Sequence, residues 1–137
     1  MIFGIGTDLV RIERVRESLQ RHGQRFADRV LAASEREAYA TARDPARMLA
    51  KRFAAKEAFG KALGTGVAVP ATLHAVAVGH DPLGKPVFRY SEALSEYMST
   101  HALTAHLSLT DEADYVVAFA VIERFVTETP SNHAAFR

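Results

Sequence analysis

The aspartate at position 8, in the run Met1-Ile-Phe-Gly-Ile-Gly-Thr-Asp-Leu-Val10, is the first side chain that needs a chemical explanation. A carboxylate between an apolar strand and a helix must be capped, paired or ligated, because a desolvated charge is strongly unfavourable. Asp8 therefore either caps the helix that follows near Arg11 or holds a ligand, and Gly4 and Gly6 permit close approach of another backbone or of that ligand. Further along, Phe53, Glu57 and Lys61 recur at spacings of four and share a helix face, with Lys56 and Gly60 alongside. A solvated Glu-Lys pair is the bland interpretation. Against it stand Phe53, Ala54, Ala55, Ala58 and Phe59, which put the pair at the border of a core. Two carboxylates and an ammonium at such a border suit a magnesium-phosphate site, in which waters and phosphate oxygens complete the shell of the ion.

A third group is basic. At about 100° per residue, Arg11, Arg14, Arg21 and Arg25 fall in one stripe of about 80°, provided the helix continues past Gly23. Ile12, Val15, Leu19 and Phe26 form the apolar stripe beside it. The arginines are either a solvated face or a ridge that orients an acidic partner. His22, His74, His80, His101 and His133 lack ligand-like spacing and read as structural or exposed.

The elements that must position these groups follow from capping and periodicity. Met1 to Val10 reads as a buried strand, and the spacing of Ile12, Val15 and Leu19 predicts a helix from Arg11 to about His22, stopped by Gly23 before a short turn through Phe26 and Val30. Ser34 with Glu37 has the form of a capping box, and Asp44-Pro45 sets a capping carboxylate before a proline at the first helical position. The helix from Pro45 ends near Leu63 at Gly64. Strands over Leu73–Val78 and Pro86–Tyr90 form a hairpin around His80-Asp-Pro-Leu-Gly-Lys-Pro86, and Ser91 caps a helix to about His101. Strands over Thr104–Thr110 and Asp114–Glu123 close the fold, the last being the hydrophobic centre of the sheet. The expected class is α+β, an antiparallel-rich sheet against one long helix, in one domain over 1–125 with a frayed tail over 126–137.

Composition narrows the chemistry. With 137 residues, 48% hydrophobic and 24% charged, the chain has ordinary globular proportions. It contains no cysteine, so disulfides, thiolate metal sites and a cysteine nucleophile are excluded and any ion must be a hard one held by Asp, Glu or His. The longest apolar stretch, Tyr115 to Ile122, falls well short of the roughly 20 residues of a membrane span, and no signal segment precedes Gly4, so a cytoplasmic location is expected. A net charge of +1 gives no compositional case for nucleic acid.

Taken in order, Gly4-Ile-Gly-Thr-Asp8, Lys51-Arg-Phe-Ala-Ala-Lys-Glu-Ala-Phe-Gly-Lys-Ala62 with Gly64-Thr-Gly66, Gly84-Lys-Pro86 and the terminal hairpin resemble the holo-(acyl-carrier-protein) synthases. These are the short branch of the 4'-phosphopantetheinyl transferases, and the resemblance covers about residues 2 to 124. It implies the transferase fold and transfer of phosphopantetheine from coenzyme A to a serine of acyl carrier protein, with release of 3',5'-adenosine diphosphate, in fatty acid biosynthesis. By the same resemblance Asp8 and Glu57 correspond to magnesium ligands, and Lys61 to a lysine on the phosphates of coenzyme A, with Gly64 beside it. It also implies a homotrimer with sites between protomers, in which Lys85, Pro86, His106 and Ser108 meet the nucleotide of a neighbour. The arginine stripe would then receive the acidic carrier protein. The serine proton would go to Glu57 or to a water on the ion. Two departures stand out: many relatives carry Ser-His where this chain has Ser108-Leu-Thr110, so that a histidine contact to the nucleotide is either missing or supplied by His106, and Val10 takes the place of a third carboxylate found in longer transferases. On the residues alone, a magnesium-dependent phosphohydrolase and a non-catalytic basic module remain the rival readings.

Overall fold

A computed structural model describes residues 1–126; the expected tail over 126–137 lies, apart from Val126, outside the described residues. The chain runs β1 (Ile2–Arg11), α1 (Ile12–His22), α2 (Gln24–Val30), a 3-10 turn (Ala33–Glu35), α3 (Arg36–Ala40), α4 (Pro45–Leu63), β2 (Val76–His80), β3 (Pro86–Tyr90), α5 (Glu92–Thr100), β4 (Leu103–Asp111) and β5 (Tyr115–Arg124). The main sheet is antiparallel in the order β1-β5-β4, and β2-β3 forms a separate hairpin. This is the expected α+β architecture, with the apolar strand β5 at the centre.

Both ends of α4 are formed as its sequence dictates. Asp44 Oδ1 accepts from the Arg47 amide at 3.2 Å, Pro45 takes the first turn, and Gly64 ends the helix at φ 91°. Along the inner face of the sheet, Val116, Ala118, Ala120 and Ile122 are buried against α4, together with Ala54, Ala55, Ala58 and Phe59 of the helix. Gly4 and Gly6 share this face, since they pair with Ile122 and Ala120. A Cβ on Gly6 would stand 2.0 Å from the Ala58 carbonyl oxygen, and one on Gly4 equally close to that of Ala62. Side-chain-free backbone there lets α4 seat directly on β1.

Four sequence expectations are corrected. Strand β1 is not buried throughout: only its inner face is covered, and Ile5 and Leu9 on the outer face are 59% and 63% exposed. Helix α1 begins at Ile12, so Arg11 ends the strand; Gly23 at φ 57° then reorients the chain and places Arg25 on α2 instead of one continuous stripe. The start of α3 is organised not by a Ser34-Glu37 box but by Glu35, whose carboxylate accepts from the Ala32 amide at 2.9 Å. The first hairpin strand begins three residues later than expected, because the amides of Ala75 and Val76 donate to the Thr72 carbonyl and hold Leu73–Ala75 in a turn.

Candidate active site

Period-two alternation decides where Asp8 points. It pairs with Ala118 and therefore lies on the inner face, one pleat beyond Gly6 and against α4. It does not cap α1, whose N-cap position is held by Arg11 with no side-chain capping bond. Instead, Lys61 of α4 reaches across to donate to Asp8 Oδ1 at 3.2 Å and to the Thr7 carbonyl at 2.9 Å. The Asp8 side chain is 16% exposed and that of Lys61 is 52% exposed, so the pair stands at a solvent edge of the core.

One helical turn before Lys61, Glu57 is half-buried. Burial raises its pKa above the usual carboxylate value, the negative charge of Asp8 raises it further, and Lys61 opposes. The coupling to Asp8 brings the two carboxylates into one electrostatic neighbourhood, with repulsion that a divalent cation would relieve. Among the described residues no cluster of three or more His, Cys, Asp and Glu could hold a metal. A two-carboxylate corner open to solvent still fits magnesium, which keeps several waters, and does not fit an ion that needs a full protein cage. Behind Lys61, the Gly66 amide bonds the Gly60 carbonyl at 3.0 Å, so the loop Gly64-Thr65-Gly66 folds back on the helix.

Beside Asp8 lies a groove of about 400 Å3 that includes Leu9, Arg11, Arg14, Phe26 and Phe53. Phe26 also lines a second depression of about 540 Å3 with His22, Arg25 and Arg29. Arg11, Arg14 and Arg25 thus share a surface joined by Phe26, despite the break at Gly23; Arg21 lines neither depression.

The other sequence candidates lie elsewhere. His106 and Ser108 pair with Val121 and Phe119, on the outer face of the sheet and opposite Asp8, and the His106 ring lies 3.6 Å from Glu123. Lys85 and Pro86 close the β2-β3 hairpin, where Asp81 Oδ1 accepts from the amides of Leu83 and Lys85. Sequence reasoning missed a cavity of about 340 Å3 on α4 that includes Arg43, Lys51, Arg52, His80 and Leu109. It also missed the buried network behind it. Glu35 accepts from Lys56, Arg52 and the Val78 amide; Lys56 donates to the Val30 carbonyl at 2.6 Å and that of Leu73 at 2.8 Å, and Arg52 to that of Val78. The Glu35-Lys56 part leaves no local sequence signal, since its partners are 21 residues apart.

With this geometry in hand, the 4'-phosphopantetheinyl transferase superfamily matches residues 4–120. The holo-(acyl-carrier-protein) synthase of Azoarcus sp. (strain BH72) is 74% identical over 123 residues, which cover 90% of this chain and 98% of that protein. The crystal structure of the synthase from Neisseria meningitidis superposes with a TM-score of 0.87 at 45% identity, covering 90% of this chain and 100% of that one. The synthase from Bacillus anthracis, solved in complex with coenzyme A (3',5'-ADP), gives 0.76 at 31% identity over 91% of this chain and 99% of that one.

Proposed function

The chain belongs to the holo-(acyl-carrier-protein) synthase branch of the 4'-phosphopantetheinyl transferase superfamily, and on that ground we propose that it uses coenzyme A and magnesium to phosphopantetheinylate a serine of apo acyl carrier protein. The by-product is 3',5'-adenosine diphosphate, and the reaction serves fatty acid biosynthesis in the cytoplasm. Among the described residues no helix is long and apolar enough to cross a membrane.

The observation that carries this reading is the corner where Asp8 and Glu57 stand together with Lys61 between strand and helix. Asp8 and Glu57 would hold the ion, and the chemistry magnesium supplies there is neutralisation of charge on the pyrophosphate. The ammonium of Lys61, on a long and half-exposed side chain, turns from Asp8 to the phosphate oxygens and stabilises charge as the transition state forms. The serine oxygen attacks the phosphorus that bears pantetheine, the bond to the bridging pyrophosphate oxygen breaks, and the nucleotide leaves with that oxygen. The serine proton goes to Glu57 or to a water on the ion. The carrier docks on the groove beside Asp8, where Arg11, Arg14 and, through Phe26, Arg25 meet its acidic surface.

A homotrimer with shared sites is part of the proposal, and α4 supports it. Arg47, Met48, Lys51 and Arg52 line the basic cavity on a side of the helix centred roughly 150° around the axis from Glu57. The pyrophosphate and 3'-phosphate of coenzyme A hang from one ribose and cannot straddle a helix about 10 Å across. One chain therefore offers the metal corner, while a neighbour offers the basic cavity, Lys85, Pro86, His106 and Ser108.

The test is the intact mass of apo acyl carrier protein after incubation with this protein, coenzyme A and magnesium, with an EDTA control. A gain of one phosphopantetheine group that EDTA abolishes is expected. Release of nucleotide without modified carrier would favour a phosphohydrolase, and absence of both products would leave a binding module.

A further inference from the structure

His80 ends β2 at the basic cavity, in a position the mechanism above does not use. Most cations of that cavity are already engaged. Arg47 donates to Asp111 at 2.8 Å and to the carbonyls of Glu112 and Ala113, Lys51 lies 3.3 Å from Asp111, and Arg52 serves Glu35 and the Val78 carbonyl. Among the described residues the Arg43 guanidinium and the His80 ring have no such partner, so these two donors remain for a ligand. Leu109, which lines the cavity from β4, can donate nothing.

The charges around His80 come from every side. Burial lowers its pKa, Arg52 and Lys51 of α4 lower it further, Asp81 raises it, and Arg89 of β3 lowers it. Arg43, Asp44 and Arg47 complete the charged lining. The free protein thus holds a neutral imidazole among cations, and a dianion placed beside it would reverse the balance and favour the protonated ring. If the pyrophosphate occupies the Asp8-Glu57 corner, the other anion of coenzyme A is its 3'-phosphomonoester.

We propose that His80 takes up a proton as the 3'-phosphate of coenzyme A enters this cavity, and so selects the nucleotide that carries this phosphate. The inference rests on the coenzyme A reading above and assigns a specificity-determining role to a residue of this chain. It is tested by titration calorimetry of coenzyme A and dephospho-coenzyme A at about pH 7, in two buffers of different ionisation enthalpy, with the wild type and the His80→Gln and His80→Lys variants. The wild type should take up more protons with coenzyme A than with the dephospho form. His80→Gln should lose that excess and bind coenzyme A about threefold to tenfold more weakly, with dephospho-coenzyme A unaffected. His80→Lys should recover affinity without proton uptake. Equal proton uptake in wild type and His80→Gln, or equal weakening toward both nucleotides, would overturn the role of His80 without bearing on the proposed function. Loss of all coenzyme A binding by the wild type would instead refute the proposed function.

Discussion

At the scale of single residues, the site consists of two carboxylates set against each other and one ammonium that partly relieves them. Replacing Asp8 by Asn keeps the volume and removes the charge. Transfer to acyl carrier protein should then fall by about 100-fold or more, with an unchanged circular dichroism spectrum, because the proposed magnesium ligand is lost but no packing is. The same substitution has a stability signature. Glu57 has a folded pKa raised above its ordinary 4.5, so in metal-free protein its contribution to stability declines as pH rises from that value through the folded one. Removing the Asp8 charge removes one cause of the shift, and the decline should shrink. Urea unfolding in EDTA across this range would show it; an identical pH dependence in both proteins would mean that burial alone sets the Glu57 value.

At the scale of elements, the seating of α4 on β1 decides whether Asp8 and Lys61 meet at all. Gly6→Ala would put a methyl group against two backbone atoms of α4, the Ala58 oxygen at 2.0 Å and the Ala62 nitrogen at 2.7 Å, neither of which can swing away. A loss of about 3 kcal/mol is expected, read as a lower denaturant midpoint at unchanged slope. The tie between α4 and the β4-β5 turn is weaker and depends on pH. Burial raises the pKa of Asp111, but hydrogen bonds from Arg47 and Lys51 outweigh it and leave the carboxylate below its usual 3.8. The stabilisation is therefore present above that value and lost as pH falls through the lower folded one, and Asp111→Asn should remove about 1 kcal/mol at neutral pH while flattening the acid limb. Much of this level was legible in the sequence, because the signals for α4, α5 and β5 are local: Asp44-Pro45, Gly64, Ser91 and an unbroken apolar run. Asp8, Glu57 and Lys61 were legible for the same reason, each standing out against apolar neighbours. What stayed hidden depends on distant segments. The exposed outer face of β1 cannot be told from its buried face when each carries apolar residues and a polar one, Thr7 outside and Asp8 inside, and the basic cavity joins residues 43–52, 78–80 and 109, none of which is distinctive alone.

At the scale of the whole molecule, the outer face of the main sheet is apolar and uncovered in the single chain. Ile5, Leu9, Val117 and Phe119 leave 37% to 63% of their surface to solvent, side by side on β1 and β5, where a lone chain would carry an apolar patch. If neighbouring copies cover it, Phe119→Arg, outside the groove beside Asp8, should yield folded monomers by light scattering with little transfer activity. A mixing experiment separates shared sites from sites that merely need a trimer. Asp8→Ala removes one carboxylate of the corner but keeps the basic cavity; the Arg43→Ala, Lys51→Ala double variant keeps the corner and removes two cations that line the cavity. If each site takes its corner from one chain and its cavity from the next, random reassembly of an equal mixture makes both halves intact at about one site in four. Activity should therefore return to about a quarter of wild type from two nearly inactive proteins. A mixture no more active than its components would place corner and cavity in the service of a single chain, and the separation of the two across α4 would then need another explanation.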